Sequence, residues 1–316
     1  MKPNVVLYGT GRFNQLLLSS LIALDLPIGM AVMDSGDVAA DQLYADTQVA
    51  AEGCTNLNVK IATQTDLVTA DAIIFGDIAP MEAGTERDDA LSVVMPRLRN
   101  FIREAMAQGF KGKMIVASQY DDLLTYFAQK FSGVGVSNCI GVGTLAHTTI
   151  LNNTLARTFN VPLDSLHAYV VGIANDHLIA WSRSTVGPAP VLSLMANEDI
   201  NFDAAELGEI EQQLNATAIS TNDALRAQSV IKILNGIFFD RPFIGSLTNL
   251  LTITEERVTP LSTPVRVNAA GVSKLVDVSY SDLEQRQLDE VGSQVRDTTL
   301  AIEKGSLEED DDEDEH

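Results

Sequence analysis

The chain has 316 residues, of which 46% are hydrophobic and 20% charged, a composition that supports a sizeable buried core and argues against a wholly disordered chain. The formal net charge is −22, and setting aside the eight acidic residues of the run 308–315 (EEDDDEDE) still leaves −14. Because such an acidic body repels a phosphate backbone, the composition argues against nucleic-acid binding.

The sequence also lacks the signals of a membrane protein and of a thiol-based site. No apolar stretch approaches the roughly 18 residues of a membrane span, and the N-terminus lacks the long apolar region of a signal peptide. Cys54 and Cys139 lie in unrelated contexts, with no CxxC pattern and no histidine at ligand spacing. We therefore expect reduced thiols, a cytoplasmic protein, no membrane partner and no metal site.

The first 140 residues alternate short apolar runs with amphipathic stretches. The apolar runs predict strands at residues 5–8, 29–33, 72–75 and 114–117, and the amphipathic stretches predict helices such as 15–24 and 88–106. Short, fully apolar strands separated by helices indicate a parallel sheet covered on both faces. Pro96 should kink the second of these helices rather than end it.

The second half is less regular. Its patterns predict a strand at 167–171, long helices at 222–239 and 281–303, and strands around a turn within 265–278. This mixture is typical of an α+β domain. The charge run after Gly305 has nothing to bury, so it predicts a disordered tail.

A glycine turn links the first predicted strand to the first helix. Residues 8–14 (YGTGRFN) read G-x-G-x-x-N, in which Gly9 allows a tight turn and Gly11 lets the backbone approach a pyrophosphate. Asn14 stands where the third glycine normally allows close packing. Asp34 ends the second strand about 20 residues later, where an acceptor for the ribose hydroxyls belongs, and it favours NAD over NADP. The alternative is an α/β protein with an ordinary glycine turn.

Several further runs resemble the lactate/malate dehydrogenases. They are 165–172 (SLHAYVVG), similar to that family's S-V-H-A-Y-V-I-G, the pair 181–182 (WS), 141–144 (GVGT), similar to its G-x-G-T, and 122–126 (DLLTY), similar to its D-V-L-T-Y. The match extends from residue 5 to about residue 304. Within the family, the L-2-hydroxyisocaproate dehydrogenases of lactic acid bacteria are the most similar.

The resemblance implies a fold and a molecular context. The fold is α/β: an N-terminal Rossmann domain with a parallel, doubly wound sheet over 1–141, an α+β catalytic-type domain over 142–305 and the disordered acidic tail 306–316. The implied cofactor is NAD, and the implied substrate of an active member is a small 2-oxo or 2-hydroxy acid. A homodimer or homotetramer is the implied assembly.

The family chemistry transfers a hydride between NADH and a 2-oxo acid. A histidine protonates the carbonyl oxygen, an aspartate orients that histidine, one arginine polarises the carbonyl and a second binds the carboxylate. Arg87, in the segment 84–87 (GTER), aligns with the polarising arginine of the family's mobile-loop G-E-T-R. The alternative for Arg87 is a solvated loop arginine among acids.

Other positions depart from the family pattern. Ile173 or Ala174 stands where the family has its catalytic histidine, because the segment before the W-S pair is one residue shorter. His147 replaces the orienting aspartate, and Ile150 replaces the carboxylate-binding arginine. Gln119 replaces the asparagine that contacts cofactor and substrate, and the proline after it is also replaced. Together these losses argue against standard turnover.

Four residues could rebuild the site. A reversed pair is possible, with His147 as the acid and Asp176 as its orienting group, and His177 is a second candidate acid; we favour ordinary local hydrogen bonding for these histidines. Arg226 lies on the helix that faces the nicotinamide in the family. It could bind an anion or fill the nicotinamide site, but we expect it to face solvent.

Two functions remain. The first is a dehydrogenase-like NAD-binding protein without standard 2-hydroxyacid dehydrogenase turnover, acting as a regulatory or sensor pseudoenzyme. The second is an active NAD-dependent 2-hydroxyacid oxidoreductase with a rewired acid and an altered substrate. An open polar pocket containing Arg87, His147 and Arg226 would favour the enzyme, and a pocket plugged by side chains would favour the pseudoenzyme.

Overall fold

The N-terminal half alternates strands and helices. The structure, a computed structural model, describes residues 2–36, 40–79, 87–197, 200, 202–216, 222–254, 257–274 and 277–313. The elements of this half are β1 (Asn4–Tyr8), α1 (Arg12–Leu24), β2 (Gly29–Met33), α2 (Ala40–Glu52), β3 (Asn58–Ile61), α3 (Gln64–Thr69), β4 (Ala72–Phe75), α4 (Arg87–Ala107), β5 (Lys113–Val116), α5 (Asp121–Ser132) and β6 (Cys139–Gly141). This alternation confirms the predicted α/β half.

The second half mixes helices with short strands. Its elements are α6 (Leu145–Phe159), β7 (Leu166–His167), β8 (Val170–Ile173), β9 (Asp176–Ile179), β10 (Thr185–Val186), β11 (Ala189–Pro190), α7 (Val191–Leu194), α8 (Ala204–Ala216), α9 (Asp223–Phe238), β12 (Phe243–Asn249), β13 (Ile253–Thr254), β14 (Arg257–Val258), β15 (Leu261–Asn268), β16 (Gly271–Ser273) and α10 (Asp282–Glu313). This composition confirms the predicted α+β character.

One large sheet runs through both halves. In the part of the chain that the structure describes, its order is β3-β2-β1-β4-β5-β6-β12-β15-β8-β9, with β16 on β15. The first six strands are parallel and have the doubly wound order 3-2-1-4-5-6. Antiparallel pairing begins where Thr248 of β12 meets Gly141 of β6. The predicted domain boundary at 141 falls at this junction and stays a prediction.

Both faces of the parallel sheet are buried, as the apolar strands predict. Along β1, Val6 and Tyr8 pack into one apolar cluster, whereas Val5 and Leu7 pack into another on the opposite face. Neighbouring strands divide their residues in the same way. Because side chains alternate along a strand, a run that is apolar at every position needs cover on both sides.

Some predicted boundaries were wrong. The single strand predicted at 167–171 is two strands, β7 and β8, which lie in different sheets. The pattern 265–278 contains the end of β15 and the whole of β16, joined by the predicted turn. Pro96 lies inside the continuous helix α4 and does not end it. No helix within the described ranges is long and apolar enough to cross a membrane.

The last helix continues into the acidic run. Helix α10 extends to Glu313, so residues 306–313 are helical where the charge pattern predicted a disordered tail. Adding residues to an existing helix needs no new nucleation, so α10 can continue into the run. Residues 314–316 lie outside the described part of the chain.

Candidate functional site

The glycine turn after β1 lies where the carboxyl ends of the parallel strands meet. Gly9 has φ of +103°, a backbone conformation that favours glycine. Gly11 is the N-cap residue of α1. In doubly wound sheets ligands bind at this edge, because the strand order reverses between neighbouring strands there. The structure therefore places both predicted glycines at the expected edge.

Asn14, at the third position of the turn pattern, ties β1 to the end of β4. Its side chain is fully buried, and its Nδ2 donates to the Gly9 carbonyl at 2.8 Å. Its Oδ1 accepts a hydrogen bond from the Asp77 backbone N–H at 2.8 Å. A side chain at Gly76 would collide with this amide, since a Cβ there would lie 2.7 Å from Oδ1. Hydrogen bonds from Asn14 thus replace the close packing that a third glycine allows.

The carboxylate of Asp77 lies against the N-terminus of α1. Its Oδ2 accepts a hydrogen bond from the Phe13 backbone N–H at 2.9 Å. A Cβ on Gly11 would lie 2.6 Å from the same oxygen, so the carboxylate fills the space that the glycine keeps open. Helix N-termini attract negative charge through their free N–H groups and dipole. Asp77 therefore supplies from within the chain the negative charge that a pyrophosphate would bring.

Arg226 of α9 is buried at the same edge, with 8% of its surface exposed. Its Nη2 lies 3.1 Å from Asp77 Oδ1, and its Nη1 lies 3.0 Å from Asp223 Oδ1. Its Nε donates to the Ala117 carbonyl at 2.8 Å, and the guanidinium lies 4.3 Å from the centre of the Phe13 ring. The expectation of a solvent-facing arginine was wrong. Asp77, Asp223 and Ala117 together engage all three guanidinium nitrogens, and Asp77 and Ala117 are distant from Arg226 in sequence.

The ribose side of the edge differs from the phosphate side. Asp34 follows β2 and is exposed, and its Oδ1 accepts a hydrogen bond from the Gly36 N–H at 3.2 Å. This placement fits the ribose of an adenosine. The residues at the pyrophosphate position do not fit that group, because Asp77 already binds the helix N-terminus and would repel phosphate oxygens. The arrangement therefore fits the ribose position of the predicted NAD site but does not fit its pyrophosphate position.

A cavity of about 50 Å³ adjoins this edge. Its walls bring together four of the candidate site residues predicted from sequence, namely Arg87, Gln119, His147 and Arg226. Ligand pockets usually have volumes of about 300–1,000 Å³, and one water takes up roughly 30 Å³ of liquid. In this arrangement the cavity is far smaller than a usual ligand pocket, and Arg226 is one of the side chains that line it.

His147 of α6 packs against His177 of β9. The ring centroids lie 4.5 Å apart, with 55° between the ring planes. Burial, followed by the nearby His177, lowers the pKa of His147 to about 3, so its imidazole is neutral near neutral pH. Burial also lowers the pKa of His177. Asp176 is exposed at the start of β9, so the structure brings His177, and not Asp176, against His147.

Arg87 is the first residue of α4 and reaches the cavity from its other side. Its Nη2 lies 3.6 Å from Asp122 Oδ2, and its guanidinium lies 5.7 Å from the centre of the Tyr120 ring. Its buried Nε has no hydrogen-bond partner within the described residues. Tyr120, where the family has proline, has φ of +61°. Residues 80–86, which include the rest of the segment aligned with the family's mobile loop, lie outside the described part of the chain.

Asp121 is a residue of this cavity that the sequence patterns did not single out. It is 4% exposed, and its Oδ2 accepts a hydrogen bond from the Gly143 N–H at 2.8 Å. Burial, followed by the adjacent Asp122, raises the pKa of Asp121 to about 7. The available signal was two consecutive acids just after an apolar strand, since buried neighbouring carboxyls raise each other's pKa.

Apolar residues stand at the positions aligned with the family's acid and carboxylate anchor. Ile173 ends β8, Ala174 follows it, and both line the cavity. Ile150 packs against an apolar cluster that includes Leu151 and Leu155. These three positions therefore offer neither a proton donor nor a cation.

Known proteins of similar sequence are L-lactate dehydrogenases. L-lactate dehydrogenase 2 of Lactococcus lactis subsp. lactis (strain IL1403) is 25% identical over 309 residues, which cover 94% of this chain and 98% of that protein. Over nearly its whole length the chain is therefore similar to the lactate/malate dehydrogenase family. A second relative, the L-lactate dehydrogenase of Pediococcus acidilactici, is 26% identical over 245 residues and 73% of each chain. No family model matches the chain.

Solved structures share the fold of this chain. The ligand-bound minor L-lactate dehydrogenase from Enterococcus mundtii superimposes with a TM-score of 0.86 at 22% identity, covering 95% of this chain and 98% of the other. A lactate dehydrogenase from a Medee basin deep-sea metagenome library gives 0.84 at 21% identity, with 95% and 98% covered. At these identities the agreement establishes the fold, and the roles of the site residues stay predictions.

Proposed function

We propose that this lactate/malate dehydrogenase-family protein lacks ordinary NADH-dependent reduction of 2-oxo acids and has a regulatory or sensing role. The observation that carries the proposal is the loss of both polar groups from the aligned positions. Ile173 and Ala174 stand at the position of the acid, Ile150 stands at the position of the anchor, and the histidine that lines the cavity, His147, is neutral.

The first support is the missing proton donor. Reduction of a carbonyl leaves negative charge on its oxygen, and a general acid works best when its pKa lies near the working pH. With a pKa of about 3, His147 carries its second proton only in strong acid. Losing a positioned acid costs about 10²–10⁴ in rate. The neutral imidazole therefore does not replace the family's acid.

The second support is the missing carboxylate anchor. A 2-oxo acid brings a carboxylate into the site, and a buried charge without a partner costs roughly 3–5 kcal/mol. Ile150 offers no compensating charge. Arg87 is the cation predicted to face the substrate, but the carboxylate of Asp122 lies beside its guanidinium and offsets its attraction for an anion. The proposal therefore rests on two independent losses.

Cofactor and assembly form the finer part of the proposal. We take the nucleotide to be NAD(H) rather than NADP(H), because Asp34 stands at the ribose position and would repel a 2′-phosphate. A homodimer or homotetramer follows from family membership. Neither point depends on turnover.

A second candidate function is an active oxidoreductase with a rewired acid and an altered substrate. It is favoured by one observation: Arg87, Asp121 and His147 line the same cavity, and two of them have strongly shifted pKa values. Such groups cluster at functional sites. On this alternative a protonated Asp121, or His147, would donate the proton.

The test is an NADH-oxidation assay with pyruvate, oxaloacetate and 2-oxoisocaproate. We expect rates far below the typical enzyme value of about 10 s⁻¹, and a rate near that value would contradict the proposal. The matched variant returns histidine at 173 or 174 with the missing residue restored, together with His147→Asp and Ile150→Arg. We expect activity only from this combination, because such groups act as a unit.

The same assay distinguishes the second candidate function, an active oxidoreductase, from the first. If the unmodified chain reduces any of these acids, His147→Ala and Asp121→Asn become the deciding variants. Loss of activity in one of them would identify the rewired acid. Full activity in both would direct the search to His177, which packs against His147.

A further inference from the structure

The phosphate position of the glycine turn is filled by the chain itself. We propose that Asp77, held by Arg226, acts as an internal substitute for the pyrophosphate, so that NAD(H) binds weakly and only after this pair opens. The inference goes beyond the proposed function, which concerns turnover, because it concerns binding of the nucleotide.

Asp77 and a pyrophosphate compete for one hydrogen-bond donor and one space. The backbone N–H of Phe13 already donates to Asp77 Oδ2. The face of Gly11 that a phosphate would approach is covered by the same carboxylate. A pyrophosphate at the start of α1 needs both the N–H and the open face. The carboxylate and the pyrophosphate therefore cannot occupy the turn together.

The charges around the turn also oppose a phosphate. Arg226 neutralises Asp77 but is also bound to Asp223 and to the Ala117 carbonyl. Asp223 in turn lies 3.6 Å from Arg12. These two carboxylates and two guanidiniums balance one another, so the cluster offers an incoming dianion no net positive charge. Opening the pair exposes an uncompensated carboxylate beside the phosphates, which lowers affinity further.

Neighbouring side chains support the pair from both sides. Asn14 binds the backbone N–H of Asp77, and the ring of Phe13 lies under the guanidinium of Arg226. Both side chains of the pair are largely or partly buried, with 9% of Arg226 and 25% of Asp77 exposed. Contacts from α1 and α9 therefore hold the closed arrangement, which makes it the resting state of the turn.

The experiment is calorimetric titration of NADH into the full-length chain and three variants. Asp77→Ala frees the backbone N–H of Phe13 and the space beside Gly11, and it leaves Arg226 available to the phosphates. We therefore expect this variant to gain the most affinity for NADH, at least about tenfold. Asp77→Ala combined with Arg226→Leu should gain less. Arg226→Leu alone keeps the carboxylate and should gain nothing.

Two results would overturn the inference. One is equal NADH affinity for the parent chain and Asp77→Ala, and the other is a gain from Arg226→Leu as large as that from Asp77→Ala. If the alanine variant does not fold, Asp77→Asn replaces it, because the side-chain amide oxygen can still accept the hydrogen bond from the Phe13 N–H while the negative charge is lost. A smaller gain from Asp77→Asn supports the inference, and no gain overturns it.

The matched control is Asp164→Ala, which removes one carboxylate from an exposed position in the second half. It should leave NADH affinity unchanged, and a tenfold gain there would show a general charge effect and overturn the inference. The readout also separates the two proposals. Tight NADH binding by the parent chain without turnover contradicts only this inference, whereas reduction of 2-oxo acids contradicts only the proposed function.

Discussion

The glycine turn and the neighbouring cavity differ in whether their buried polar groups have hydrogen-bond partners. In the turn, Asn14, Asp77 and Arg226 find their partners in one another and in the backbone around them. In the cavity, Arg87 Nε and His147 Nδ1 are buried without a hydrogen-bond partner among the described residues. Unpaired buried groups cost stability. The polar groups of the turn therefore satisfy one another. The unpaired polar groups of the cavity lower stability, so stability does not explain their presence.

The two regions also differ in protonation. Burial raises the pKa of Asp121 to about 7 and lowers the pKa of His147 to about 3, so both cavity groups favour their neutral forms just below neutral pH. The charges of the turn, in contrast, are paired at short range. The comparison predicts that changes in the cavity alter pH dependence and that changes in the turn alter stability at every pH.

Asp121→Asn should give the largest change in stability. The unfolded carboxyl loses its proton near pH 4, whereas the folded one keeps it until about pH 7. The folded state therefore binds more protons within this window, and its stability falls as pH rises through it, by roughly 4 kcal/mol in full. Asparagine removes that loss while still accepting from Gly143.

Urea unfolding between about pH 5 and pH 8 would measure this contribution. The free energy of unfolding of Asp121→Asn should exceed that of the parent chain by a margin that grows with pH. The control is Asp164→Asn, an exposed acid. A margin that is constant with pH, or equal in the two variants, would break the contrast between cavity and turn.

Asn14→Ala should destabilise the turn by about 3 kcal/mol. It leaves the N–H of Asp77 and the carbonyl of Gly9 without their partner, and each unsatisfied buried group costs about 1–3 kcal/mol. Denaturant unfolding at two pH values should show the same loss at both. The matched control is Asn153→Ala, an exposed asparagine of α6, which should change stability by less than about 0.5 kcal/mol. Equal losses in the two variants would refute the role given to Asn14.

His147→Gln should reduce sensitivity to acid. The unfolded imidazole gains a proton below about pH 6.5, whereas the folded one stays neutral until about pH 3. The stability contributed above pH 6.5 is therefore lost as pH falls, by about 2 kcal/mol at pH 5. Unfolding of parent and variant at about pH 7 and pH 5 would show a smaller loss in the variant. An identical loss would mean that His147 titrates normally in the fold.

Deletion of residues 306–316 should have the smallest effect. The deletion removes acids at the C-terminal end of α10, where the helix dipole disfavours negative charge. We expect the melting temperature to change by less than about 4 °C, which corresponds to roughly 1 kcal/mol for a small domain. A larger decrease in a thermal melt would show that the run is docked against the body.

Local sequence patterns predicted the parallel sheet, whereas the positions of the site residues depend on contacts between residues far apart in sequence. Uninterrupted apolar runs are sufficient to place β1, β2 and β4 in a covered parallel sheet, and the spacing from the glycine turn locates Asp34. The position of Arg226 depends instead on Asp77 and Ala117, which are far away in sequence. No periodicity within α9 carries that information.

The histidines and Asp121 show the same limit in a second way. Aligned motifs placed His147 near the cavity, but its neighbour is set by the pairing of β8 with β9, in which His177 lies opposite Gly172. Asp176, the orienting group predicted from sequence, is one residue away and so lies on the opposite side of the strand. Two consecutive acids could mark Asp121 only as a candidate, because its raised pKa depends on burial, which the packed fold provides.

The junction between β6 and β12 has a consequence for biosynthesis. While the chain emerges from the ribosome, β6 is one of the two free edges of the parallel sheet, with β3 at the other, until Thr248 arrives to pair with Gly141. At roughly 5–20 residues per second, the intervening hundred or so residues take about 5–20 s to make. During that interval an unpaired strand edge is exposed and open to association with other nascent chains. This edge of the N-terminal half is thus covered only after β12 of the second half has been made.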